Sequence, residues 1–217
     1  MIKWLEDAVF YEVYPQSFRD SNGDGIGDIP GITEKLEYIQ ELGCNALWIN
    51  PCFTSPFYDA GYDVEDYYSV APRYGTNEDL KKLFEAAHQR GMHVLLDLVP
   101  GHTAVTHPWF QESMKAEKNE YTDRYVWTDS LYKRMEDVKG IVSVLRGISP
   151  RPASCGVNCF STQPALNYGF ANITDAGWQQ PTDAPGPMAT REELKNIMRF
   201  WLTLGCDGFR VDMAGSL

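Results

Sequence analysis

The sequence predicts an α/β protein built on a parallel sheet, and three observations carry that prediction. Four short β-branched or aromatic runs, 9–14 (VFYEVY), 46–50 (ALWIN), 93–99 (HVLLDLV) and 208–212 (GFRVD), are bounded by Gly, Pro or Asn and read as buried strands. Helical material separates each run from the next. The resulting order, βαβαβ, a long excursion and then αβ, requires parallel strands joined by right-handed crossovers, with helices covering the sheet.

Each element has its own justification. Between the first two strands, Ile32, Leu36, Ile39 and Leu42 form one helical stripe that stops at Gly43. Before the third strand, a helix over 77–90 sets Leu80, Phe84 and Ala87 on a stripe and stops at Gly91. The third helix is expected to open at Thr190 with Glu193 in capping-box spacing, to turn Leu194, Ile197, Met198 and Trp201 inward, and to end at Gly205. The excursion 104–189 is far longer than a βα loop of about 2–6 residues and is expected to fold as a small subdomain. Its aromatics Trp109, Phe110, Tyr121, Tyr125 and Trp127 mark packing, and PTDAPGP near its end reads as a linker. Three segments follow: 1–103, 104–189 and 190–217. Without the excursion, roughly 130 residues remain against the ~250 of a complete eight-stranded barrel.

Composition narrows the function classes. The 217 residues are 43% apolar and 23% charged, which is globular material, and the formal charge of −11 disfavours a nucleic-acid partner, whose phosphates need a basic stripe. No apolar run approaches the ~20 residues of a bilayer span, and no secretory leader opens the sequence, so a soluble, cytoplasmic protein is expected. The five cysteines (Cys44, Cys52, Cys155, Cys159, Cys206) contain no CxxC pair and favour reduced thiols; a bridge or metal site at Cys155 and Cys159 is the alternative.

Four stretches carry candidate chemistry. In DSNGDGIGD, side-chain oxygens recur at Asp20, Asn22, Asp24 and Asp28 around Gly25, a pattern that aims them, with the carbonyl of Ile26, at a hard cation such as Ca²⁺. The other reading is a metal-free Gly/Asp turn. Gly31 stands where an EF-hand would need its bidentate Glu, which argues against a calcium sensor of that type. In DLVPGHT, Asp97 lies inside the third strand and His102 just beyond its carboxyl end, where parallel folds bind ligands; His88, His93 and His107 read as structural. In GYDVEDYYSV, Tyr62 supplies a sugar-stacking face and Asp63 a hydroxyl acceptor, or the segment is a packed aromatic loop. In GFRVD, strand alternation puts Arg210 and Asp212 on one face, either as a register-fixing salt bridge or as an oriented nucleophile with its cation.

Taken together and in order, VFYEVYPQSF, DSNGDGIGD, GYDVEDY, DLVPGHT, QPALN (163–167) and GFRVD resemble the first half of the catalytic domain of the α-amylase family, glycoside hydrolase family 13. HPWFQES and YTDRYVW are similar to the oligo-1,6-glucosidase, α-glucosidase and trehalose-synthase branch. The resemblance implies strands 1–4 of a (β/α)₈ TIM barrel with a domain B insertion after strand 3. It implies Asp212 as nucleophile, Arg210 as its ion-pair partner, and Tyr62, Asp63 and His102 around the transferred sugar. Asp20, Asn22, Asp24, Ile26 and Asp28 match a structural calcium loop. Gly101 stands where the family often has Asn, and Ala165 where it often has an acid, which weakens a second calcium site between barrel and domain B; Met213 decides no linkage preference.

The implied activity is retaining hydrolysis of α-glucosidic bonds in an α-glucan or α-glucoside through a glucosyl-Asp212 intermediate. The family's general acid belongs to a fifth strand, so the chain is expected to be truncated, inactive alone and prone to self-association through exposed half-barrel edges. The alternatives are a transglucosidase such as a trehalose synthase, and a non-catalytic binding protein of the same family.

Overall fold

The structure is a computed structural model that describes residues 2–135 and 138–216. It divides into two compact units, residues 1–54, 67–98 and 198–211 in the first and 55–66, 99–197 and 212–217 in the second. The second unit holds the expected excursion 104–189 within its stretch 99–197 and also takes in the loop 55–66. The backbone shows why: within this unit the Ala104 amide donates to the Val64 carbonyl at 2.8 Å, so the loop and the excursion are hydrogen-bonded together.

The first unit is organised by a four-stranded, fully parallel sheet. Its strands are β1 (Phe10–Val13), β2 (Ala46–Ile49), β5 (His93–Leu98) and β8 (Gly208–Val211), side by side in the order β1-β2-β5-β8. The intervening numbers belong to two short pairs, β3 (Phe53–Thr54) with β4 (Asp66–Val70) and β6 (Ser143–Leu145) with β7 (Cys155–Val157). Leu47 and Ile49 of β2 and Val94, Leu96 and Leu98 of β5 are buried at alternate positions, the pattern of an apolar face packed on a core, while β1 and β8 are mostly half-buried or exposed.

Helices complete the crossovers. A one-turn helix α1 (Lys3–Glu6) precedes β1, and α2 (Pro15–Phe18) follows it. The expected helix over 32–42 begins earlier and is broken at Lys35 into α3 (Ile29–Glu34) and α4 (Leu36–Glu41). Its start is set by Asp28, whose carboxylate accepts from the Gly31 amide at 2.6 Å. Helix α5 (Asn77–His88) opens on a complete capping box between Thr76 and Asp79 and buries Leu80, Leu83, Phe84 and Ala87.

After α6 (Pro108–Ser113), helix α7 (Pro185–Leu204) starts five residues before the expected cap. Pro185 and Pro187, read as linker, occupy its first turn, where prolines cost no hydrogen bond. Thr190 instead sits inside the helix and donates its hydroxyl to the Gly186 carbonyl at 3.0 Å. Near the end of this helix Trp201 is buried, stacks on Phe53 at 5.1 Å and donates its indole N–H to the Tyr67 carbonyl at 2.8 Å. The second unit has its own core, in which Phe110, Tyr125, Trp127, Cys155 and Leu166 cluster. No helix among the described residues is long and apolar enough to cross a membrane.

Candidate active site

The parallel register determines what the strand ends present. In the first unit Asp97 of β5 lies opposite Arg210 of β8. Asp97 is almost fully buried and receives Arg210 Nη1 at 3.2 Å on both carboxylate oxygens and the Trp48 indole N–H at 2.9 Å. The Arg210 guanidinium also rests 4.6 Å over the Trp48 ring. A buried carboxylate needs such compensation. Arg210 thus has Asp97 as an ion-pair partner, one that the reading of GFRVD in isolation did not supply.

Asp212, the first residue past β8, belongs to the second unit and is 8% exposed. Its neighbours there are revealed by charge. Burial, then the carboxylates of Asp212 and Asp59, push the Cys159 thiol upward. Asp59 is itself raised, by burial first; Gln163 and His102 act to lower it, while Asp63 and Asp212 raise it. Gln163, fully buried, donates its amide to Asp59 Oδ2 at 2.6 Å. Asp59 therefore lies within electrostatic reach of His102 and Asp212, and Cys159 within reach of both carboxyl groups.

The loop 55–63 builds one side of this constellation, and Asp63 is its hub. Asp63 is fully buried and accepts from the Ser55 hydroxyl at 2.9 Å, the Tyr58 amide at 2.8 Å and the Asp59 amide at 3.1 Å. The oxygens of Asp63, expected to bind the sugar, are thus engaged by donors of its own loop, and the carboxyl on which the charge of Asp212 acts is that of Asp59. Phe57 and Ala60 adopt positive φ of 60° and 54°, a strained conformation for residues with a Cβ. The Tyr62 amide closes the turn on the Asp59 carbonyl at 2.9 Å. Asp59 lies three residues before Tyr62 in YDAGYD, a spacing that marks it only once the turn is seen.

His102 forms the other side. It is 1% exposed, with Nε2 3.1 Å from the Tyr62 carbonyl and Nδ1 2.9 Å from Asn158 Oδ1. The segment around it is zipped to the QPALN stretch, since Leu166 N donates to Gly101 O at 3.0 Å and His102 bridges Ala165. The other histidines are engaged elsewhere. His107 caps α6 by accepting from Trp109 N, and burial lowers it to about 3; His88 and His93 both reach Asp207. All five cysteines are free thiols. A separate polar cavity of ≈ 320 Å³, lined by Lys118, Asp123, Trp127, Arg151 and Trp178 among others, shares no residue with this constellation.

Across the full set of motifs, the alpha amylase catalytic-domain model matches residues 12–217. The chain belongs to the alpha-amylase family. It is 38% identical to an oligo-1,6-glucosidase of Bacillus sp. (strain F5) over all of this chain and 40% of the relative. It is 43% identical to a trehalose synthase/amylase of Mycolicibacterium smegmatis over 96% of this chain and 33% of the relative. Among solved structures, the trehalose-6-phosphate hydrolase of Bacillus licheniformis superposes with a TM-score of 0.81 at 36% identity, covering 96% of this chain and 35% of that one. This family member thus spans between a third and two fifths of the length of such curated relatives. Its four-stranded sheet is the first half of the family's (β/α)₈ barrel, with the excursion as the insertion after the third barrel strand.

The oxygen-rich loop lies in the first unit. Asp20 accepts from the amides of Asn22, Gly23 and Gly25, Asp24 from that of Ile26, and Asp28 from Ser21 as well as Gly31. Among the described residues no three His, Cys, Asp or Glu side chains are grouped as metal ligands. The donor set is nonetheless all oxygen, and a carboxylate oxygen that accepts one amide keeps a further lone pair, so its chemistry fits a hard cation.

Proposed function

We propose that this chain forms part of the sugar-binding and nucleophilic side of an enzyme that cleaves α-glucosidic bonds with retention. The observation that supports the reading is that, within the second unit, the half-buried Asp59 is acted on by the charges of the buried Asp212 and His102, beside a loop whose Tyr62 carbonyl contacts His102 at 3.1 Å. In this reading Asp212 attacks the anomeric carbon, the glycosidic oxygen leaves, and a covalent glucosyl ester links sugar to Asp212. Protonation of the leaving oxygen falls to a second carboxyl outside the described residues. Water, or a sugar hydroxyl in a transglucosidase, then takes the glucosyl group with a second inversion.

Asp59 and Tyr62 are proposed to hold the glucosyl unit, Asp59 by accepting two hydroxyl hydrogen bonds and Tyr62 by stacking. Arg210, paired with Asp97, is proposed to fix the end of β8 from which Asp212 follows. Turnover of 4-nitrophenyl α-D-glucoside by an enzyme that carries these residues together with the second carboxyl, followed by NMR, tests the reading. The first-formed anomer is expected to be α; first-formed β-glucose, or full activity in Asp212→Asn, would overturn it.

We also propose that Asp20, Asn22, Asp24, Asp28 and the Ile26 carbonyl hold a structural Ca²⁺. When bound, the ion would tie the loop after β1 to the start of α3. Stripping with EDTA is expected to lower the melting temperature, with recovery on adding Ca²⁺, because a ligand that binds only the folded state stabilises it. An unchanged melt in EDTA would refute the site.

A further inference from the structure

Asn158, contributed by the excursion, faces His102 in an unusually constrained way. Its side chain is 3% exposed, and its Nδ2 donates to the Gly140 carbonyl at 2.7 Å and to Ser216 Oγ at 3.3 Å. Because a carbonyl can only accept, the Gly140 contact fixes which end of the amide is nitrogen. Asn158 Oδ1 therefore points at His102 Nδ1, 2.9 Å away, as an acceptor. On the far side of the ring, Nε2 meets another pure acceptor, the Tyr62 carbonyl, at 3.1 Å. Either neutral tautomer would set a ring lone pair against an oxygen lone pair.

Two glycines make room for this arrangement. A Cβ on Gly101 would lie 2.4 Å from Asn158 Oδ1, and one on Gly140, whose φ is +78°, would lie 2.1 Å from the Ser216 carbonyl. The acceptor thus occupies the space that a side chain at position 101 would fill. Through Ser216 the amide is also tied to the segment that follows Asp212.

We propose that Asn158 is a positioning residue that holds His102 with both ring nitrogens donating, so that a cationic imidazolium stands in the environment of Asp59 and Asp212. Its benefit for sugar binding rests on the function proposed above; the hydrogen-bond lock does not. The lock would keep the two carboxylates from repelling each other and would fix the ring plane against the Tyr62 turn.

The test is ring-nitrogen NMR on the protein labelled with ¹⁵N-histidine, which contains four histidines. At neutral pH both His102 nitrogens are expected to show directly bonded protons. Asn158→Ala removes the acceptor and is expected to leave a single ring proton on Nε2. Gly101→Ala keeps every polar group but displaces Oδ1, and the same loss of the Nδ1 proton is expected; it stands in should Asn158→Ala not fold. Affinity for 1-deoxynojirimycin, measured by calorimetry, is expected to weaken about tenfold in either variant, the scale of one lost charge-assisted hydrogen bond.

A bare ring nitrogen in the wild-type protein, or two ring protons persisting in both variants, would overturn the proposal. Loss of the Nδ1 proton without any deoxynojirimycin binding, even by the wild-type protein, would uphold the lock and refute the sugar-site reading instead.

Discussion

Asp59 and Asp63 are four residues apart, carry the same functional group, and do different work. Asp63 is surrounded by donors from its own loop and orders the turn; Asp59, presented by that turn, is left with Gln163 and the electrostatic company of Asp212 and His102. Sequence reasoning chose Asp63 because it adjoins Tyr62 in GYD. What it could not see is the hydrogen bonding of the loop, which consumes one carboxylate and frees the other. A pH consequence follows at this scale. Burial raises Asp59, so it ionises at a higher pH than an ordinary carboxyl, while Gln163 favours the charged form. If ionised Asp59 grips the sugar, kcat/KM rises as pH climbs through that raised value. Gln163→Leu withdraws the stabilising amide and is expected to move this acidic limb to higher pH in a pH–rate profile. A limb that stays in place, or moves down, would exclude Asp59 as its source.

At the scale of elements, the strands were legible because each is a short apolar run with turn residues on both sides, and all four pair in the parallel order expected. The helices were less so at their starts. Thr190 and Glu193 offered capping-box spacing, yet α7 begins at Pro185, since prolines in a first turn only replace amides that have no intrahelical partner. Thr76, with Asp79 three residues on, makes the real box, at the start of α5. Short pairs such as β6 with β7 have no periodicity long enough to read.

One inter-element clasp bears on stability. Asp207, just before β8, accepts from the Val94 amide at 2.8 Å and meets His88 Nε2 at 2.8 Å and His93 Nδ1 at 3.0 Å. Burial works to raise its carboxyl, but the Val94 amide and the two histidines prevail and hold it lowered. A carboxyl lowered on folding contributes stability above its unfolded value, and that contribution is lost as pH falls through the folded value. Asp207→Asn is therefore expected to be less stable than wild type in urea at pH 7, with the difference shrinking as pH falls below about 4. A difference that persists unchanged in acid would show that the clasp is not electrostatic.

For the whole molecule, family and barrel half were legible because separated motifs kept their order over the entire chain, as the match to residues 12–217 shows. Residues 55–66 lie between two strands of the sheet's unit in sequence but pack with the excursion, and only long-range hydrogen bonds such as Ala104 to Val64 reveal that. The same folding-together of distant segments joins Asp59 to Gln163 by a hydrogen bond and puts Asp59 within electrostatic reach of Asp212, so this candidate site is a product of the second unit's packing.

Trapping the intermediate tests this account most directly. Incubation of the protein with 5-fluoro-α-D-glucosyl fluoride, then peptic digestion and mass spectrometry, is expected to find one fluoroglucosyl group esterified to Asp212 and none in Asp212→Asn. A label on Asp59, or turnover with no covalent species at any time point, would contradict it.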